Sequence, residues 1–357
     1  MTSPPQRFWL PGPVAVHPDV MAAMQQPMIG HRTPAAEALR ARIDLGMRQI
    51  FQTRRPVAVA TCSATGLMEA AIRSGVRDSV LCVVSGAFGE RFARIAEQCD
   101  KEVIRLHVPR GEALEPGLLA TMLDGPPVDA VTLVHGETST GVQHPVSELL
   151  HLLRPLPDVV TIVDAVTTLA AAPVDPDGWG ADVVFSGSQK ALGLPPGLAF
   201  ATVTDRFLER AAEQRDRGLY LDLAALHHDA AAGRWSQTPA LPQLFALDRQ
   251  LERIAIEGLK ARWNRHRAMR EKVENWVASH GRCTLFATAG RRADAVTALR
   301  LAPGKSAAEL VRTLGAEGWQ IATTRDDNED RIIRIGHMGD AQPEDLAQLL
   351  STIEPRL

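Results

Sequence analysis

Residues 181–190 read Ala-Asp-Val-Val-Phe-Ser-Gly-Ser-Gln-Lys, an apolar run that ends in small residues and one amine, Lys190. Continuous apolar runs of this length, bounded by turn residues, are typical of strands buried on both faces of a parallel sheet. Only five of the 39 lysine and arginine residues are lysines, and the other four stand in polar or helical surroundings. A lysine after a strand is usually a solvated surface residue. A desolvated lysine at that position can instead form a Schiff base with an aldehyde.

Similar apolar runs lie on both sides of this stretch, and helical patterns separate the early ones. The helical patterns cover 66–74 and 88–98, with apolar residues three and four positions apart. The strand-like runs are 57–61, 80–85, 130–134, 159–163, 183–186 and 198–203. Strands that alternate with helices predict an α/β fold, with a mostly parallel sheet covered by helices.

The last hundred residues follow a different pattern. Strands are expected at 295–301 and 332–335, and helices at 307–317, capped by Ser306, and at 343–354. This order predicts a small C-terminal α+β domain. We therefore divide the chain into an N-terminal arm (1–16), a large domain (17–257) that ends with an amphipathic helix, and a small domain (258–357).

Composition excludes several classes of protein. The net charge of the 357 residues is −3, with both signs interspersed, which argues against a nucleic-acid surface or a polybasic membrane patch. The four cysteines form no C-x-x-C pair, so we expect neither a metal framework nor disulfides. No signal peptide and no apolar run of membrane-spanning length is visible. We expect a cytoplasmic protein.

Polar motifs follow several of the strands, where a parallel α/β sheet binds its ligands. Residues 61–66, Thr-Cys-Ser-Ala-Thr-Gly, stand between a strand and a helix and could hold a phosphate. The alternative is a plain helix cap by Ser63 or Thr65. Residues 135–141, His-Gly-Glu-Thr-Ser-Thr-Gly, could contact a ring oxygen or a phosphate, or could form a polar turn. His135 and Glu137 could bind a metal ion, but no further ligand residues stand at a suitable spacing.

Asp164 ends the apolar strand Val160-Thr-Ile-Val-Asp164. A buried carboxylate must be paired or functional, because burial of an unpaired charge is costly. A protonated pyridine nitrogen would be a suitable partner, and a helix cap or a salt bridge is the alternative. Asp164 and Lys190 stand at successive strand ends. A carboxylate for the ring nitrogen, an amine for the aldehyde and a phosphate cup together predict pyridoxal phosphate as the cofactor.

With these motifs in order, the chain resembles the class V, fold type I aminotransferases, close to the alanine–glyoxylate, serine–glyoxylate and serine–pyruvate enzymes. The resemblance extends over nearly the whole chain, and its lysine motif and threonine-rich motif are specific together. The matching stretches include Pro11-Gly-Pro, Gly30-His-Arg-Thr, Ser63-Ala-Thr-Gly, Gly86-Ala-Phe-Gly-Glu-Arg, Ser186-Gly-Ser-Gln-Lys-Ala, Pro195-Pro-Gly, Tyr220-Leu-Asp and Arg334-Ile-Gly-His-Met-Gly.

The resemblance implies a role for each matching residue. Lys190 would carry the Schiff base and move the proton, Asp164 would pair with the pyridinium, and Arg334 would bind the substrate carboxylate. The other implied cofactor contacts are Ser63, Ala64, Thr65 and Gln189 around the phosphate, Thr138 by hydrogen bond, Phe88 by stacking, and Trp235 and Thr238 donated to the phosphate site of a neighbouring subunit. The role implied for Trp235 and Thr238 also implies a homodimer with shared active sites.

Two departures from the family pattern affect these expectations. Trp235 stands where the family usually has tyrosine, and 321–325 reads Ile-Ala-Thr-Thr-Arg where the family has a glycine pair. We expect transfer of an amino group between alanine or serine and glyoxylate or pyruvate. Arg325 and the motif that begins at Arg334 are also similar to pyridoxamine–pyruvate aminotransferase, which uses the unphosphorylated vitamin as a substrate and not as a bound cofactor. A catalytically silent binding protein is the alternative from a different class.

Overall fold

The computed structural model describes residues 6–324 and 330–357. The strands are β1 (Arg7–Phe8), β2 (Ala58–Ala60), β3 (Ser79–Val84), β4 (Glu102–His107), β5 (Ala130–Val134), β6 (Gly136–Glu137), β7 (Val142–Gln143), β8 (Val160–Asp164), β9 (Val183–Gly187), β10 (Ala199–Val203), β11 (Cys283–Leu285), β12 (Val296–Leu301), β13 (Trp319–Gln320), β14 (Ala322–Thr323) and β15 (Ile332–Gly336). The helices are α1 (Pro18–Ala23), α2 (Pro34–Phe51), α3 (Ala64–Gly75), α4 (Ala87–Gln98), α5 (Pro116–Leu123), α6 (Val146–Leu153), α7 (Pro176–Trp179), α8 (Asp205–Glu213), α9 (Leu223–Ala231), α10 (Leu241–Glu257), α11 (Leu259–His280), α12 (Ala307–Ala316) and α13 (Pro343–Ile353).

The larger sheet has the strand order β2-β10-β9-β8-β5-β3-β4 among the described residues. Strands β4, β3, β5, β8 and β9 run parallel to one another, and β10 is antiparallel to both β2 and β9. The carboxyl ends of β8 and β9 lie side by side, with Asp164 opposite Phe185 in the register. The expected mostly parallel sheet is confirmed.

Successive side chains of these strands point to opposite faces, and each face has its own core. Val163 and Val184 pack in a cluster with α2, α6 and α10, whereas Ile162 and Phe185 pack in a second cluster with α3, α4 and α8. The strands are buried on both sides, which explains why they read as continuous apolar runs and not as an alternation.

The second sheet is antiparallel, in the order β11-β12-β15-β14, and α11, α12 and α13 pack against it around a third core. The N-terminal β1 adds a parallel pair with β13, with Arg7 opposite Trp319. Helix α10 ends at Glu257 and α11 begins at Leu259. The fold type I architecture with this additional C-terminal α+β layer agrees with the expectation, whereas the domain boundary at 257/258 stays a prediction.

Some of the predicted local structure is observed and several elements were missed. Ser306 caps α12 through the Glu309 N–H at 3.1 Å, as expected. Residues 206–234 contain most of α8 and all of α9. Strand β4 and helices α1, α2, α5, α6, α7 and α11 were not predicted. Helix α11 is polar on most of its surface, so its periodicity is weak. No helix in the described ranges is long and apolar enough to cross a membrane.

Candidate active site

Lys190 lies just beyond β9, at the start of a turn that its carbonyl closes by accepting the Gly193 N–H at 2.9 Å. The side chain is 6% exposed and donates to the Pro11 carbonyl, from a segment 179 residues away. Burial lowers the pKa of the amine to about 8, and the nearby charge of Arg334 acts in the same direction. Lys190 is therefore a buried amine that loses its proton far more readily than an exposed lysine.

Gly12 makes this approach possible. Its φ is +100°, a conformation that side-chain-bearing residues rarely adopt, and a Cβ there would lie 2.6 Å from Lys190 Cδ. Residues 11–12 therefore form a close cover over the lysine.

Asp164 ends β8 and is buried, as the sequence predicted. Its Oδ1 accepts the Val166 N–H at 2.7 Å, and within the described chain no basic side chain lies within ion-pair distance of it. The salt-bridge alternative is thus not observed. Burial raises the pKa of the carboxyl to about 7, against a smaller lowering by the Val166 bond. A cationic group on a bound ligand would stabilise the ionised form of such a carboxyl group.

The phosphate-cup residues meet at the beginning of α3. Ser63 occupies the N-cap position, but its side chain makes no capping bond, so the plain-cap alternative is not observed for it. Thr65 Oγ1 accepts Arg91 Nη1 at 3.3 Å. A Cβ at Gly187 would meet Gln189 Oε1 at 2.6 Å and Ala64 Cβ at 3.2 Å, so these side chains are neighbours. A helix N-terminus with hydroxyl groups and an arginine beside it suits a phosphate.

Phe88 and Thr138 lie at the same edge of the sheet. Lys190 Nζ lies 5.8 Å from the Phe88 ring centroid, and the guanidinium of Arg91 lies 4.8 Å from it. Thr138 Oγ1 is 2.5 Å from Thr167 Oγ1, and the Thr138 carbonyl accepts Arg334 Nη1 at 3.4 Å.

Arg334 projects from β15 of the smaller sheet into the cleft formed with the larger one. Its Nε and Nη2 donate to the Thr323 carbonyl at 3.1 and 2.6 Å. Arg334 and Thr323 line a cleft of about 1290 Å³ together with Thr65, Phe88 and Ser139. Arg325, whose role the sequence left open, lies outside the described residues.

Trp235 and Thr238 line a different cavity, of about 500 Å³, with His31, Arg32 and Arg40. They do not line the cleft that Thr65, Phe88 and Arg334 line in the same chain. This separation is compatible with the expectation that they complete a site in a neighbouring subunit, which stays a prediction.

Glu137 is a residue whose contribution the sequence did not indicate. Its buried carboxylate accepts the Phe88 N–H at 3.0 Å, the Gly89 N–H at 3.3 Å, and both the N–H and the hydroxyl of Ser139 at 3.0 and 2.6 Å. It therefore fixes the first turn of α4, which carries Phe88, against the loop after β5. The only local signal was a carboxylate placed directly after an apolar strand.

The metal interpretation of His135 and Glu137 does not fit this geometry. His135 Nδ1 is 2.8 Å from Thr168 Oγ1, its ring packs edge-on against Trp179, and burial lowers its pKa to about 3. Over 6–324 and 330–357, no group of three or more His, Cys, Asp or Glu side chains is placed to hold a metal ion.

The side chains at this edge of the sheet fit pyridoxal phosphate. Among the described residues, a buried amine, a buried carboxylate without an ion-pair partner and a helix N-terminus that carries the hydroxyls of Ser63 and Thr65 provide for the aldehyde, the ring nitrogen and the phosphate. The fold and this donor set define a pyridoxal-phosphate enzyme of fold type I.

Comparisons with known proteins agree. Residues 58–324 match the family model of class-V aminotransferases. The chain is 33% identical to the soluble hydrogenase small subunit of a Synechococcus species (97% of this chain, 91% of that one) and 30% identical to the (S)-ureidoglycine–glyoxylate transaminase of Bacillus subtilis (95% and 87%). The crystal structure of alanine–glyoxylate aminotransferase from a Nostoc species superposes with a TM-score of 0.93 at 30% identity (99% and 96%).

The chain belongs to the class-V aminotransferases. It is a pyridoxal-phosphate-dependent transaminase, and the predicted family, fold, enzyme class and cofactor are confirmed.

Proposed function

We propose that the protein transfers an amino group between a small amino acid, alanine or serine, and a small 2-oxo acid, glyoxylate or pyruvate. The observation that carries the proposal is the pairing of buried Lys190 and Asp164 at adjacent strand ends, with Arg334 across the cleft. Glyoxylate as acceptor is supported by three relatives of this chain, the ureidoglycine–glyoxylate, serine–glyoxylate and alanine–glyoxylate enzymes.

Bound pyridoxal phosphate supplies the aldehyde that captures an amine and the ring that takes up electrons from the α-carbon. Lys190 would hold the cofactor through its Nζ, and its amine would remove a proton from the substrate α-carbon and return it. A pKa of about 8 suits the proton transfer, since about a tenth of the amine is neutral at pH 7, far more than for an ordinary lysine. Asp164 would keep the ring nitrogen protonated, and Phe88 would stack on the cofactor ring.

The phosphate is held by Ser63, Thr65, Gln189 and the N–H groups at the start of α3, including Ala64. We propose that Thr138 donates to the cofactor ring and that Arg334 orients the substrate carboxylate through its planar fork. Trp235 and Thr238 complete the phosphate site of a second copy, so that the working unit is a homodimer with shared sites. We also propose a cytoplasmic location.

Pyridoxamine–pyruvate aminotransferase remains the second candidate because of the chain end around Arg334. The solved structure of that enzyme is 24% identical to this chain, a level that shows the shared fold only. The uncommitted hydroxyl of Ser63 at the α3 N-terminus favours a phosphorylated cofactor instead. A catalytically silent protein would have no use for a buried lysine with a lowered pKa opposite a buried carboxylate.

The test is a screen of amino donors against glyoxylate and pyruvate with purified, dialysed protein, together with its absorbance spectrum. The expected result is retained pyridoxal phosphate and turnover with alanine or serine, both absent from Lys190→Ala. Turnover of free pyridoxamine with none of amino acids would replace the first candidate by the second. Retained cofactor without any turnover would establish the silent protein.

A further inference from the structure

The turn that begins at Lys190 contains two backbone carbonyls that receive no hydrogen bond from within the turn. The Lys190 carbonyl accepts the Gly193 N–H, which leaves the carbonyls of the central residues, Ala191 and Leu192, without a partner inside the turn. Both residues are buried, at 0% and 1% exposure. A buried carbonyl without a donor is costly, so the position of this turn depends on donors from elsewhere in the fold.

Two side chains from the α10–α11 region supply these donors. Arg262 Nη2 donates to the Ala191 carbonyl at 2.8 Å, and Gln250 Nε2 donates to the Leu192 carbonyl at 2.9 Å. The backbone of the turn is shaped to receive them: Gly193 has a φ of +76°, and a Cβ there would lie 2.7 Å from Gln250 Nε2.

Arg262 is itself held from two sides. It is 1% exposed, and its Nη1 donates to Glu257 Oε2 at 2.8 Å and to Asp340 Oδ1 at 2.9 Å. Asp340 follows β15, six residues after Arg334 along the chain. A buried guanidinium is stable only with such pairing, and its rigid fork holds the carboxylates and the carbonyl in one fixed arrangement.

We propose that Arg262 is a positioning residue for Lys190. It holds the Lys190 turn through Ala191 and, through Asp340, fixes that turn relative to the strand that carries Arg334. The inference rests on the proposed role of Lys190 as the reacting amine. Arg262 contributes by position, because the charges that act on the Lys190 amine come from Arg334, Asp164, Glu137 and Arg91.

The test compares Arg262→Lys with Arg270→Lys. Arg270 lies on the same helix and is also held by carboxylates, Asp294 at 2.8 Å, Glu274 at 2.6 Å and Glu271 at 3.3 Å, but these contacts do not include the Lys190 turn. Lysine keeps the charge and loses the fork, so it cannot join the carbonyl to both carboxylates. Both variants lose an ion pair of α11, so any general weakening of this helix appears in both.

The first readout is amide hydrogen exchange of the cofactor-free protein at Gly193 and Leu194, whose N–H groups close the turn. We expect exchange there to rise about tenfold or more in Arg262→Lys and to stay at the wild-type rate in Arg270→Lys. The second readout is the single-turnover rate of the loaded enzyme with alanine. Displacement of a reacting group by about 1 Å can cost up to about a hundredfold, and we expect at least a tenfold loss in Arg262→Lys alone.

Equal exchange and equal rates in the two variants would overturn the proposal. If Arg262→Lys does not fold, Gln250→Met decides, since it removes the donor to the Leu192 carbonyl at 2.9 Å and, besides that bond, two longer contacts with Asp340 at 3.4 and 3.5 Å. Faster exchange at Gly193 in that variant supports the proposal, and wild-type exchange overturns it. Full turnover by Lys190→Ala would refute the proposed function, whereas the exchange result would still report on Arg262.

Discussion

Replacement of Asp164 by asparagine is expected to stabilise the cofactor-free protein and to impair the enzyme. The carboxyl has a pKa of about 7 in the fold against 3.8 for an unperturbed aspartate, chiefly because of burial. At pH 7 the carboxyl ionises freely in the unfolded chain, whereas burial opposes its ionisation in the folded protein. With about 1.4 kcal/mol for each pKa unit, the carboxyl lowers the free energy of unfolding by at most roughly 4 kcal/mol at pH 7.

The sign follows from the direction of the shift. Because the pKa of Asp164 is raised in the fold, its favourable contribution is fully present below pH 3.8 and is lost as the pH rises through 7. Asparagine is neutral at every pH and can still accept the Val166 N–H through Oδ1. Asp164→Asn should therefore exceed the wild type in stability at pH 7 and match it near pH 4.

The assay is urea unfolding of both cofactor-free proteins at the two pH values, with turnover measured on the loaded enzymes. An amide cannot hold the ring nitrogen protonated, and loss of a charge-assisted bond of about 1.5–3 kcal/mol lowers the rate by at least one to two decades. Asp182→Asn serves as the control. Asp182 is equally buried but paired with Arg206, so its neutralisation should destabilise the protein. An Asp164→Asn protein that is less stable than the wild type at pH 7, or equally shifted at both pH values, would refute the reasoning.

Three further substitutions test the remaining assignments. Lys190→Ala should abolish turnover and the absorbance of the lysine-bound cofactor, and retained transamination would remove Lys190 from the site. Arg334→Lys should raise the amino-acid KM by about tenfold or more while cofactor affinity is unchanged, because a point charge replaces a planar fork; wild-type KM values for both the donor and the oxo acid would contradict this role. The double variant Thr65→Val, Thr238→Val should lose the cofactor on dialysis without unfolding, as followed by absorbance and circular dichroism. Complementation between the two single variants after mixing would show that sites are shared between subunits, and cofactor retention in the double variant would contradict the phosphate cup.

Much of the architecture could be read from local patterns. Strand β5 was predicted at its exact bounds, 130–134, and the ends of β8 and β9 were placed within one residue, because strands buried on both faces consist of unbroken apolar residues. The rule that ligands bind beyond the carboxyl ends of parallel strands then brought Asp164 and Lys190 together. Strand β10 gave the same apolar signal, yet it is antiparallel to its neighbours. Apolar runs report burial and do not report strand direction.

The amino-acid sequence by itself determined the class of fold, the cofactor, and the places of Asp164 at the end of β8 and Lys190 just after β9, since each depends on residues close together along the chain. Only the tertiary structure decided what surrounds them. Pro11 covers Lys190 from 179 residues away, Glu137 fixes the start of α4, and Arg262 reaches the turn after β9 from 71 residues away. These contacts join segments that are 49 to 179 residues apart along the chain, and an arginine on a largely polar helix has no local feature that marks it as buried. Their positions follow from tertiary packing, which no periodicity along the chain encodes.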